Sequence, residues 1–126
     1  MQSCPANLNQ DPMKTPEAIT LALFLRSRAP EVPPHHIAAT VAALSRAAAR
    51  ATSMATAYCN GHLDGDAYER RAAALKTRTD KTLAPYGLTC RTTGDPRGYC
   101  LRLHAAPGAA PVRGNTWGGD ADGYGV

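Results

Sequence analysis

Large aromatic side chains are scarce in this chain, with one phenylalanine, one tryptophan and five tyrosines among 126 residues. Much of the apolar content is alanine, which buries little area per residue. A bulky central core is therefore excluded, and closely packed helices are expected in a single domain of modest size. No apolar run approaches the ~20 residues that span a bilayer. The longest, AITLALFL at 18–25, follows no basic stretch and precedes no cleavage pattern, which argues against a secretory leader. The four cysteines (Cys4, Cys59, Cys90 and Cys100) are too sparse for the framework of a small secreted domain. Free thiols in a soluble, cytoplasmic protein are the expectation.

Catalytic and metal-binding patterns are missing as well. Cys59 and His62 have a C-x-x-H spacing, and a zinc set with them would draw on Cys90 and Cys100. Strand alternation sets Cys90 and Cys100 on opposite faces, so the sequence implies no metal and no other cofactor. Cys100 and His104 stand roughly 13 Å apart along an extended strand, too far for a nucleophile and its base. No pair of carboxylates suggests acid–base work. DADG at 120–123 has too few ligands for a calcium loop, and there is no glycine-rich phosphate loop followed by lysine and a helix. The expectation is a protein that is not an enzyme.

What is present begins with a loose arm over residues 1–14, rich in Asn, Gln and Pro. A single α+β domain over 15–126 follows. Its first helix is predicted over about 15–28, with Thr15 as N-cap and Pro16 at the first helical position. Ile19, Leu21, Leu23, Phe24 and Leu25 are too dense for one stripe, so this helix is expected to be buried widely. APEVPP at 29–34 ends it. The second helix, about 35–59, carries Ile37, Val41, Leu44, Ala48, Ala51, Ala55 and Tyr58 at alternating steps of four and three. Its alanine stretch permits close approach, either by a partner helix of the same chain or by a second copy in a homodimer. Asn60-Gly61 supplies the stop. The third helix, about 66–84, starts with the capping-box-like spacing of Asp66 and Glu69 and ends at APYG. The short NGHLDG connection makes helices two and three antiparallel.

From Leu88 the period becomes alternating, and a hairpin is predicted over 88–105. Asp95-Pro96-Arg97-Gly98 suits a type I turn at its tip. The resulting register faces Leu88 with Ala105, Cys90 with Leu103 and Thr92 with Leu101 on an apolar side that packs on the helices. The opposite side pairs Thr89 with His104, Arg91 with Arg102 and Thr93 with Cys100. A one-residue slip would mix the two faces. A glycine-rich tail over 106–126 closes the chain, with Val112–Trp117 as a candidate third strand of a small antiparallel sheet.

The net charge of +4 is uneven: Arg91, Arg97, Arg102 and Arg113 stand against Asp95 alone in residues 87–114. Like charges directly across a ladder are destabilising by a few tenths to about 1 kcal/mol. Either these arginines splay into water or meet Asp120 and Asp122, or they form an anion site, because a guanidinium fork matches phosphate and carboxylate oxygens. In the second case Arg91, Arg97 and Arg102 contact the partner, with Thr93 and His104 adding hydrogen bonds. Asn115 and Trp117 in the tail complete the site, the indole either stacking on the ligand or capping the sheet's core. A separate reading takes Arg70, Arg71, Lys76, Arg78 and Lys81 on the third helix as contacts to a nucleic-acid backbone, against the plainer one of a solvated face.

Three stretches carry a resemblance: YCN at 58–60, GDPRGYCLRLH at 94–104 and GNTWGGDADGYGV at 114–126. From about residue 36 onward the chain resembles small phage and prophage accessory proteins of GC-rich bacteria that carry GDPRGY- and GNTWGG-type motifs. That resemblance implies a phage-borne accessory gene acting in the host bacterial cytoplasm. Small phage proteins of this kind often antagonise bacterial defence, either as anti-CRISPR-like inhibitors of an antiviral protein or ribonucleoprotein complex, or as sponges for a nucleotide signal.

Overall fold

The computed structural model describes residues 16–112 and 123–126. The arm at 1–14 and the Thr15 cap lie outside them. Helix α1 spans Pro16–Arg28, α2 Pro34–Cys59 and α3 Gly65–Leu83. A 3₁₀ turn over Ala84–Tyr86 leads into strands β1 (Leu88–Thr92), β2 (Leu101–Ala105) and β3 (Tyr124–Gly125). The strands form one antiparallel sheet in the order β1-β2-β3, so the fold is α+β. No described helix is long and apolar enough to cross a membrane.

Local chemistry fixes most element ends. At the end of α2 the Gly61 N–H donates to Tyr58 O and the His62 N–H to Ala57 O, with Gly61 at φ 79°. This is the Schellman arrangement, and glycine enters its left-handed position without a Cβ clash. Helix α3 is capped by Asp64, whose carboxylate accepts from the Ala67 N–H at 2.7 Å. The cap therefore precedes the expected Asp66–Glu69 box by two residues. Asp64 has the extended backbone an N-cap needs, whereas Asp66 already lies inside the first turn.

The cross-strand register is the one alternation dictates: Leu88↔Ala105, Thr89↔His104, Cys90↔Leu103, Arg91↔Arg102 and Thr92↔Leu101. At the tip the Gly98 N–H donates to Asp95 O at 3.2 Å, closing the Asp-Pro-Arg-Gly turn. Leu88, Cys90, Leu101 and Leu103 point inward and join Leu25, Val41, Leu44 and Leu83 in the core. Cys100 is buried too, although alternation assigned it to the polar side. It lies just before β2, and its thiol donates to Asp95 O at 3.2 Å inside the turn.

Two expectations are corrected. The third strand is Tyr124–Gly125, paired with Leu103 and Arg102 of β2. Val112 is buried outside any strand, and residues 113–117 lie outside the described set. Helix α1 is buried along one stripe, Ala18, Leu21 and Leu25, while Ile19 and Leu23 are 47% and 60% exposed. It lies at the margin, packing on α2 and stacking Phe24 on Tyr124 at 4.4 Å, and Ile19 and Leu23 on its other side only border an open cleft with Pro30, Val32, Pro34 and Ile37. Part of the alanine seam of α2 packs within the chain, with Ala51 and Ala55 1% and 0% exposed.

The free margin of β1 is covered by α3. Asp80 Oδ1 accepts from the Cys90 N–H and the Thr89 hydroxyl, both at 2.8 Å. Lys76 Nζ donates to Cys90 O at 2.7 Å and to Asp80 Oδ2 at 2.9 Å. Two side chains one helical turn apart thus stand in for the missing neighbour strand.

Candidate anion-binding surface

The hairpin arginines share a hairpin but not an environment. Arg91 and Arg102 are cross-strand partners. Arg91 is exposed, whereas Arg102 Nε and Nη2 are shut off from solvent. Arg102 and His104 lie against the backbone of Gly123, where an added Cβ would come within 3.3 Å of Arg102 Nη2 and 3.1 Å of His104 Cε1. Arg97, with 91% of its side chain exposed, turns back on its own loop. Its backbone N–H and Nε donate to Asp95 Oδ1 at 3.0 and 3.4 Å, holding the Asp95 carboxyl below its usual range. Thr93 donates its hydroxyl to Tyr99 O at 3.1 Å. The structure places Arg91, Arg102 and His104 on one face of the sheet, with Arg91 exposed and Arg102 and His104 against Gly123, and it places Arg97 at the loop tip. Asn115, Trp117, Asp120 and Asp122 lie outside the described residues.

The third-helix cations divide differently. Lys76 is consumed by the contacts to β1 and Asp80. Arg70, Arg71, Arg78 and Lys81 are all exposed. At 100° per residue they occupy an arc of about 100°, and Glu69 and Asp80 fall on the other side of the helix. Arg78 lines an open groove of about 260 Å³ between α2 and α3, together with Arg46 and Arg50 of α2. Thr79 and Thr82 supply hydroxyl-bearing side chains beside them, and Leu44 and Leu75 form part of the wall.

Arg46 and Arg50 are the residues that sequence reading overlooked. The available signal was their i,i+4 spacing on a helix with no acidic residue anywhere from Pro34 to Cys59. Among the described residues, the ion pairs are Lys76–Asp80 and Arg97–Asp95, so none of Arg46, Arg50, Arg70, Arg71, Arg78 or Lys81 has a carboxylate partner. Arg46, Arg50 and Arg78 thus share the groove, Arg70, Arg71 and Lys81 share an arc of α3, and none of the six is ion-paired among the described residues, although Asp66 lies one turn before Arg70 on the same face.

The thiols differ in access. Burial, then the adjacent Asp80 charge, push the Cys90 thiol up to about 12. Cys59 is exposed and donates to Gly94 O at 3.3 Å. Among the described residues no three His, Cys, Asp or Glu side chains gather as a metal site. Comparison with protein-family models, with curated proteins and with solved structures finds no match to this chain.

Proposed function

We propose that this chain is a non-enzymatic, phage-type counter-defence protein that binds and blocks a bacterial antiviral effector complex in the manner of an anti-CRISPR protein. The supporting observation is the one-sided charge of the helical hairpin, where Arg46, Arg50, Arg70, Arg71, Arg78 and Lys81 are exposed without described carboxylate partners. A basic surface cannot imitate DNA, so it engages the anionic part of such a complex, its nucleic acid or an acidic protein patch. The rigid hairpin presents the cations, and the bulk of the domain then obstructs the effector. The resemblance of the hairpin and tail to phage accessory proteins points to the same setting.

A nucleotide sponge needs an enclosed pocket where arginines and an aromatic ring converge. The α2–α3 groove is open and no aromatic residue lines it, which favours a macromolecular partner. The test is phage plaquing on bacteria that carry an active RNA-guided nuclease and express this chain. Plaquing should recover with the parent protein and fail with R46Q/R50Q/R78Q. No recovery against any nuclease type overturns the proposal. Thermal stabilisation by cyclic or linear nucleotides would move it to the sponge.

A further inference from the structure

The geometry points to the α2–α3 groove as a seat for the phosphate backbone of double-stranded nucleic acid, held without reading its sequence. This deepens the proposed function and rests on the same face being the binding surface. Arg46 and Arg50 lie one turn apart on α2, about 6 Å along the axis, and Arg78 faces them across the groove. Arg71, about two turns before Arg78, continues the row along α3, and Arg70 and Lys81 flank it. Arg46, Arg50 and Arg78, in a groove whose lining has no acidic residue, repel one another, and an anion with several regularly spaced charges relieves that repulsion.

The type of nucleic acid follows from what this face omits. Single strands are held by aromatic platforms on which unpaired bases stack. Here the described aromatics are engaged elsewhere. Tyr58 and Tyr68 stack on each other at 4.9 Å, Phe24 stacks on Tyr124, Tyr99 lies against Gly125, and Tyr86 is buried with its hydroxyl on Thr40. Neither α2 nor α3 contains Asn or Gln, the side chains best suited to adenine edges. Short alanines, Ala43 and Ala47, surround the arginines instead and keep the groove shallow enough for a backbone to enter. Backbone contacts position a protein on a duplex but carry no sequence information.

The experiment is fluorescence anisotropy with a labelled duplex of arbitrary sequence, its separated single strand, and a second duplex of shuffled sequence, across a potassium chloride series. The two duplexes should bind alike and more tightly than the single strand. The logarithm of the binding constant should fall with the logarithm of salt at a slope of about −3 to −5, as expected for a handful of neutralised phosphates. R46Q/R50Q/R78Q, confirmed folded by circular dichroism, should flatten that slope by about 2 to 3. R91Q/R97Q should leave it unchanged. Absence of duplex binding at low salt, tighter binding of the single strand, or an unaltered slope in the triple variant overturns the inference. If the triple variant still loses protection against the nuclease while the parent binds no duplex, the inhibitor reading stands and the duplex seat falls. Arginine-dependent duplex binding without protection leaves the reverse.

Discussion

Arg28 donates to the carbonyl oxygens of Tyr86, Pro111, Gly87 and Ala110, at 3.0, 3.4, 3.3 and 3.1 Å. One side chain at the end of α1 thereby fastens both the 3₁₀ turn and the loop beyond β2. Replacing it with alanine strands part-buried carbonyls, and Arg28→Ala should lose about 2–3 kcal/mol in urea unfolding. Nothing in the sequence distinguishes this arginine from its neighbour Arg26, because its acceptors lie more than fifty residues away. Asp80 is similarly silent in sequence. Burial alone would raise its carboxyl, but bonds from the Cys90 N–H, Lys76 and Thr89 outweigh this and hold it below the ordinary 3.8. A carboxyl lowered on folding stabilises fully above its unfolded pKa, and that contribution is lost as pH falls through the lowered value. Urea midpoints should therefore drop below about pH 4, and Asp80→Asn should weaken this dependence while costing about 1–3 kcal/mol at neutral pH.

At the scale of elements, patterned segments were readable and unpatterned ones were not. The register of β1 and β2 follows from alternation, because a one-residue slip would set Leu101 and Leu103 opposite Arg91 and Thr89. The seam of α2 was readable at Ile37, Val41, Leu44, Ala51 and Ala55, which are buried, whereas Ala48 is only half-buried and Tyr58 is exposed. Strand β3 escaped because two residues, tyrosine and glycine, carry no period. Its place is set by contacts instead: Tyr124 stacks on Phe24, and Gly125 lies so near Tyr99 that a Cβ would collide with the ring. Gly125→Ala should displace Tyr99, loosen the pairing with β2 and lower stability by about 1–3 kcal/mol. Faster amide exchange at Val126, whose N–H donates to Leu101 O, would report the loosening. Helix α1 misled in the opposite direction, since hydrophobic density says how much could be buried but not how many neighbours arrive to bury it.

For the molecule as a whole, composition indicated the sign of the charge but not its distribution. The hairpin arginines drew attention because they crowd in sequence, whereas Arg46, Arg50 and Arg78 meet only when α2 and α3 fold together. The thiols give a global reading of the fold. In a Cys4→Ser background, Cys59 should react promptly with a disulfide reagent. Cys90 and Cys100, both 1% exposed, should react only as fast as the domain opens. Urea should therefore accelerate the slow pair and leave the fast thiol nearly unchanged; three equally fast thiols would contradict the packing.

The helix laid along β1 has a consequence for assembly. A bare strand margin recruits other strands, and the route to fibrils starts there. Lys76 and Asp80 plug that margin at Cys90 with a removable carboxylate. Acid that protonates Asp80 should unplug it, so fibril nucleation monitored by thioflavin fluorescence should begin already at neutral pH in K76M/D80N and only in acid in the parent.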